Sequence, residues 1–431
     1  MSIKRQISIS ERLSSPLWII VLRVCLDVLY TTVVQPSYAY YGFKNEFSIA
    51  RYLTSWVFLL LISFITNHWG KKEQVSYKIV IVLLYFGFFP ATVMYSYMNA
   101  EFILYLLIYY IMLVFMVDIL EPIYFKFGKD SNNTRQLVID FFIIILLFNE
   151  IFIWARYAHF NIQLDLYNVY DVRSDSKSYS MPIMMYYIHS WARMLIPFFA
   201  IYYLHNKKKL MFSILLVLQF IIFSIDASKS SFFSMALSVG LYFLLKKGKS
   251  FIHYIPFGLS CVSLGAIAEK MLIGTTVITN YFIRRMMFFP SLLNYQYYEY
   301  FTILGIDYYR RSIGGFFSQS LYTQDMADII GQAYYRHAMH ANNGLFADAY
   351  SNLGFVGVLI IPIMLAFVLK ILDGSTRKVS PLVAQALVIS YGFSLISSSF
   401  FTILLTHGLG IICVLGYFCF NRENESVILS K

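Results

Sequence analysis

Uncharged apolar stretches of about 20 residues, long enough to cross a bilayer as helices, follow one another along this chain and are interrupted at length only between residues 269 and 350. That rhythm restricts the fold to an all-α, polytopic integral membrane protein, because lipid offers backbone amides no partner outside helices or closed barrels. Composition agrees: 59% of residues are hydrophobic, 19% aromatic and only 13% charged, whereas soluble domains carry about 25% charged residues. A soluble fold is excluded, and membrane lipid rather than nucleic acid is the expected surrounding.

Spans are read near 16–36, 50–68, 79–98, 101–123, 137–155, 182–204, 210–225, 231–245, 251–268, 352–371, 382–399 and 401–420, about twelve in all. The chain is one integral membrane domain over 1–431, with a smaller outside loop at 156–181 and one large periplasmic (extracytoplasmic) loop at 269–350. The apolar run after the polar segment Met1 to Arg12 is too long for a signal peptide and lacks a small-residue cleavage site, so it is read as the first retained helix. Cys25, Cys261, Cys413 and Cys419 lie in apolar runs without paired spacing, which suggests packing rather than disulfides or zinc.

With the N-terminus inside, short basic clusters fall on the inner side: Lys4, Arg5 and Arg12; Lys71, Lys72 and Lys78; Lys126, Lys129 and Arg135; Lys207 to Lys209; Lys246, Lys247 and Lys249; Lys370, Arg377 and Lys378. This is the distribution that the positive-inside rule requires. The large loop differs in kind, holding five arginines and one lysine: Arg284, Arg285, Arg310, Arg311, Arg336 and Lys270. Guanidinium forks bind phosphate oxygens bidentately, while lysine serves as a hydrated anchor. An anionic ligand outside is expected, against the alternative that these arginines meet lipid head groups or pair with Glu299, Asp307, Asp325 and Asp328. Interleaved tyrosines such as Tyr295, Tyr297, Tyr298, Tyr308 and Tyr309 suit an interfacial belt or the stacking of sugar rings.

Further cations sit near the same side. Arg173 lies in the smaller loop between Asp171 and Asp175. His189 and Arg193 are four residues apart and share a helix face, and a guanidinium at membrane depth is a functional candidate by default. Arg23 and Asp27 are also four apart and are expected to neutralise each other. Lys229 follows the tight turn at Asp226 to Ser228, where helix-start amides beside an ammonium would suit a phosphate.

The order Tyr170-Asp-Val-Arg173, Ser228-Lys-Ser230, long outside loop, then Asn343-Gly-Leu-Phe-Ala-Asp-Ala-Tyr-Ser-Asn-Leu-Gly354-Phe-Val-Gly357 resembles the Wzy-type oligosaccharide repeat-unit (O-antigen) polymerases of bacterial surface polysaccharides. Asn343 followed by Gly354 and Gly357 is also similar to the related O-antigen ligases. The resemblance implies a metal-independent glycosyltransferase of the bacterial cytoplasmic membrane, with its active site facing the periplasm. It implies undecaprenyl-pyrophosphate-linked oligosaccharides as donor and acceptor, a chain-length regulator as a further partner, and no cofactor. A flippase for the same lipid-linked units is the competing class, since it too binds pyrophosphate through arginines.

Such a transfer needs positioned cations for the leaving pyrophosphate and a base for the attacking hydroxyl. The expected anion and glycan contacts are Arg173, Arg193, Lys229, Arg284, Arg285, Arg310, Arg311, Arg336, His337, Asn342 and Asn343. His340 is the preferred base, because an imidazole ordinarily titrates at about 6.5, and Asp307 or Asp348 could replace it. No Asp-x-Asp pair suited to a metal–nucleotide complex occurs in the outside loops, and there is no Walker-type glycine loop.

The charge distribution yields a direct test of topology. A cysteine introduced at Ser318 should react with a membrane-impermeant thiol reagent in intact spheroplasts, and one at Ser250 should not. The reverse labelling pattern would invert the assignment of sides.

Overall fold

The computed structural model describes residues 9–69, 72–125, 132–163, 172–173, 175–176, 178–247, 251–335, 339–342, 344–377 and 379–419. Every regular element among them is helical. In chain order these are α1 (Ile9–Leu29, prolonged by π and 3-10 turns to Tyr41), α2 (Ile49–Trp69), α3 (Val75–Tyr97), α4 (Phe102–Ile119) and α5 (Asn132–Arg156). Then follow α6 (Ile183–His205), α7 (Lys209–Asp226), α8 (Lys229–Lys246), α9 (Phe251–Leu272), α10 (279–304) and α11 (Met326–Tyr334). The chain closes with α12 (Leu345–Thr376), α13 (Pro381–Ser397, interrupted at Leu387), α14 (Phe400–Leu405) and α15 (Leu409–Cys419).

Among the described residues eight helices are long and apolar enough to cross a membrane, namely α1 to α5, α7, α9 and α12. The remaining expected spans take other forms. α6 carries His189, Trp191 and Arg193, α8 and α13 are shorter apolar helices, and the last span is divided into α14 and α15. The division falls at Thr406, His407 and Gly408, where Gly408 adopts a left-handed φ of 86°. α3 is the spine of the bundle. It is buried almost from end to end and meets α1, α2, α4, α10, α12 and α13.

The segment 269–350, expected as a loop, is largely helical and packs onto the spans. Glu269, near the end of α9, accepts the amides of Val277 and Ile278 at 2.7 and 2.8 Å and the Thr275 hydroxyl at 2.6 Å, so one carboxylate supplies the free donors where α10 begins. α10 opens with ten π-helical residues, Thr279–Phe288, and then becomes α-helical. Its buried stripe runs Ile283, Met287, Ser291, Asn294, Tyr297, Phe301, the spacing of three and four that marks one face of a helix. Phe288 meets Tyr30 at 5.3 Å between ring centroids, Tyr295 meets Phe102 at 5.8 Å and Tyr298 meets Tyr105 at 5.1 Å. These tyrosines therefore bind the outer segment to the bundle in addition to any interfacial role.

Two buried ionic networks lie along α3. Arg23 is wholly buried and donates to Asp27 at 2.8 Å and to Ser96 at 2.8 Å, with the rings of Tyr52 and Trp56 at 5.4 and 5.6 Å. Near the other end of α3, Lys370 is also wholly buried. Its ammonium lies 3.5 Å from Asp373 and 4.4 Å from the Tyr77 ring, while Asp373 accepts the Ser76 amide at 2.9 Å and the Ser76 hydroxyl at 2.5 Å. Lys78 is buried as well. The sequence reading placed Lys78 and Lys370 among surface anchors of topology. Lys370 is instead held in the inner packing by Asp373 and the Tyr77 ring, and Lys78 is buried within α3.

Removing one partner of a buried ion pair costs about 3–5 kcal/mol, whereas replacing both by apolar groups costs far less. Asp373→Ala should therefore lower the melting temperature of the detergent-solubilised protein markedly, and Lys370→Met combined with Asp373→Leu should recover most of the loss. Equal melting of the single variant and the parent would remove Lys370 and Asp373 from the stabilising core.

Candidate functional site

Two polar clusters stand at helix ends and in the segments that join the helices. The first is built on α10 and the short segments after it. Tyr295 and Tyr334 both donate to Glu299, at 2.8 and 2.7 Å, tying α11 to α10. Burial and the Glu299 hydrogen bond hold both phenols above their ordinary titration range. Tyr335 donates to Gln296 at 2.7 Å, and Gln296 donates to the Tyr41 carbonyl at 2.9 Å. The strap 339–342 is fixed on this platform: the Ala341 amide donates to Ala327 at 2.9 Å, its carbonyl accepts the Tyr297 hydroxyl at 3.0 Å, and Gly331 leaves the only space for the Met339 carbonyl.

His340 stands on that strap. Its Nδ1 lies 2.6 Å from Asp328 Oδ1, and the two side chains are 43% and 44% exposed. An ionised carboxylate only accepts, so beside one the shared proton would sit on Nδ1, leaving Nε2 of a neutral ring with the free lone pair. Asp328 occupies the first turn of α11, where the helix dipole favours a negative charge. An accessible, oriented imidazole of this kind can take a proton from a bound hydroxyl.

The other two expected bases are committed to the polypeptide. Asp307 is buried and accepts the Ser320 hydroxyl at 2.6 Å, the Arg311 amide at 3.1 Å and the Leu321 amide at 3.3 Å. Asp348 accepts the Phe400 amide at 3.0 Å, the Tyr309 hydroxyl at 3.1 Å and the Asn352 amide group at 3.1 Å. Burial and the adjacent Asp348 charge push the Tyr309 phenol above its ordinary range, so it remains a donor. Both carboxylates act as staples, with few lone pairs left for a substrate.

The arginines of this region differ in what they have left to give. Arg284 donates to Asn280 at 2.8 Å and stacks 4.3 Å from the Tyr38 ring. Arg311 is held by Asp325 at 2.7 Å and the Tyr322 carbonyl at 3.2 Å. Arg310 lies 5.1 Å from the Tyr308 ring and keeps a buried Nε without a hydrogen-bond partner. Arg285 and Asn342 are exposed. Arg336, His337 and Asn343 lie outside the described residues.

The second cluster gathers at the turn between α7 and α8. Arg173 donates to the Ala227 carbonyl through Nε and a terminal nitrogen, at 3.2 and 3.1 Å. Arg193 pairs with Asp226 at 2.7 Å and is 37% exposed, while His189 bridges Glu150 at 2.6 Å and Asp226 at 3.5 Å. Asp226 also accepts the Ser228 amide at 2.7 Å, and Lys229 begins α8 beside it. Arg173 thus meets the His189–Arg193 pair at residues 226 and 227, next to which Lys229 begins α8.

α14 joins the two clusters. Its Phe400 amide is on Asp348, and its Leu405 carbonyl accepts the Trp191 indole at 2.7 Å, two residues from Arg193. His407, just beyond, lies within electrostatic range of Arg193. Glu150 was not singled out in the sequence, and Asp328 was read only as an acid that could pair with the arginines. Glu150 is an acid inside a span, the same signal that singled out Arg193. Asp328 had no local signal, since its pairing with His340 spans α11 and the strap. No family model, curated protein or solved structure matches the chain.

The staple role of Asp307 predicts a loosened 305–322 loop on its removal. Limited trypsin digestion of Asp307→Ala in detergent should cut after Arg310 or Arg311 many times faster than digestion of the parent, read by intact mass. Unchanged cleavage would show that the loop holds without this carboxylate.

Proposed function

We propose that the protein is a polymerase of lipid-linked oligosaccharide repeat units in bacterial surface polysaccharide synthesis. On this reading it resides in the bacterial cytoplasmic membrane with the helices of the sequence reading as twelve passes and the 269–350 segment toward the periplasm. The observation that carries the proposal is the exposed His340–Asp328 dyad on the helical platform formed by α10 and α11, in the same 269–350 segment as Arg284, Arg285, Arg310 and Arg311. The sequence resemblance supplies the substrate class.

In the proposed step, an acceptor sugar hydroxyl on an incoming undecaprenyl-pyrophosphate-linked unit attacks the anomeric carbon of the growing glycan. The new bond is the glycosidic C–O bond, and the bond broken joins the anomeric carbon to the pyrophosphate oxygen. The hydroxyl proton passes to His340 Nε2, and undecaprenyl pyrophosphate departs with its charge met by guanidinium groups. Arg310 and Arg285 are assigned to that task in the first cluster. Arg173, Arg193 and Lys229 form a second cationic station, suited to the pyrophosphate of the other lipid-linked substrate. Asp307 and Asp348 are assigned to holding the site rather than to proton transfer.

Purified protein extending lipid-linked repeat units should lose about 10²–10⁴ in rate with His340→Ala, while retaining substrate binding. Asp328→Asn should lose less, and Arg310→Lys should recover only part of the Arg310→Ala loss, because the fork is missing. Full-rate extension by His340→Ala would eliminate the dyad as the base. In cells, deletion should leave single repeat units attached without long chains. Loss of all attached glycan would indicate a ligase, and accumulation of lipid-linked units on the cytoplasmic face would indicate a flippase.

A further inference from the structure

Phe316 and Phe317 are 91% and 89% exposed, the most exposed aromatic side chains among the described residues. They are not on a loose tail. Gly314 and Gly315 let the backbone fold back over residues 308–310, since a Cβ on Gly314 would fall 2.5 Å from the Tyr308 carbonyl and one on Gly315 would fall 2.6 Å from the Arg310 carbonyl. Hydrogen bonds from the Gly314 amide to Tyr309 at 2.8 Å and from the Phe317 amide to Gly314 at 3.0 Å close the turn. Asp307 holds both ends of the loop through the Arg311 amide and Ser320. The sequence therefore builds a hydrogen-bonded projection that displays two phenylalanines.

Water is a poor environment for such a display, and a fixed exposed apolar patch marks a contact surface. The surroundings indicate which one. Ile303, Leu304 and Leu321 are also exposed beside the projection. Ile306 lies against Gly354 of α12, and the strip that follows on α12, Phe355, Val356 and Ile360, is exposed in a helix long enough to span a bilayer. The apolar patch on the loop is thus continuous with the lipid-facing surface of a span.

We propose that the 313–321 projection inserts Phe316 and Phe317, at its apolar tip, into the acyl region of the adjoining leaflet while the polar Ser318, Gln319 and Ser320 stay on its water side, so that the outer segment is anchored to phospholipid at its far end as well as to the bundle through α10. This inference depends on membrane residence and is independent of the glycosyl-transfer reading. Anchoring would hold the 305–312 loop, with Arg310, against the membrane surface.

The test is photocrosslinking of the full chain in phospholipid vesicles. Phe316→p-benzoylphenylalanine should acquire the mass of one phospholipid on irradiation, as should a control at lipid-facing Val217, while Gln319→p-benzoylphenylalanine should not. A crosslinked dimer from position 316 would mean that a second copy covers the patch and would overturn the proposal. No adduct at 316 alongside lipid adducts at 217 would overturn it too, placing the projection in water.

Discussion

A carbonyl that leaves its helix at the edge of hydrocarbon must find another donor or cost several kcal/mol, and the outer end of α12 is organised around two of them. Gly354 adopts φ 57° and ψ −135°, a conformation closed to L side chains without strain, and breaks the helical path there. The Ser351 and Asn352 carbonyls accept the amides of Asp307 and Tyr308, at 3.0 and 2.8 Å. The Asn352 side chain then takes the Tyr309 amide at 3.2 Å and donates to Asp348 at 3.1 Å. Tyr308 and Tyr309 themselves hold φ of 56° each, a strained pair that persists because these bonds over-determine it.

From this joint the outer architecture extends in three directions. Asp348 reaches α14 through Phe400, Tyr309 connects to Asp348 from the loop, and Asp307 secures the projection that carries Phe316 and Phe317. Gly357 adds a close passage, because a Cβ there would meet the Ala349 carbonyl at 2.1 Å. The motif that first drew attention in the sequence, running from Asn343 to Gly357, is in its described part a scaffold. Its polar residues hold the backbone, and its glycines permit the break.

Much of the bundle was legible because hydropathy reports what a residue is, and lipid-facing helices answer to that alone. The pairing of Arg23 with Asp27, and the shared face of His189 and Arg193, followed from a separation of four. α10 was hidden for the same reason: a window average over arginines and tyrosines looks polar, while the buried stripe from Ile283 to Phe301 declares itself only at helical spacing. A charge count cannot tell an ammonium at the interface from one folded onto Tyr77 and Asp373, as Lys370 is, or from one buried in a helix, as Lys78 is. The dyad of His340 and Asp328 required the fold, since the strap and α11 meet through backbone contacts at Ala327 and Gly331 that no local pattern encodes.

The distribution of unspent donors bears on how such a site could work. Cations already satisfied by carboxylates, such as Arg311 on Asp325, have less field to offer an incoming phosphate than Arg310, whose Nε is buried and unpaired. Arg193 occupies a middle position: it is bound to Asp226, yet Asp226 also lies 3.5 Å from His189, which is itself held by Glu150. A phosphate arriving at Arg193 would compete with Asp226, and His189 could then retain that carboxylate. On the proposed reading, the second cluster would exchange an internal anion for an external one without leaving a buried charge alone.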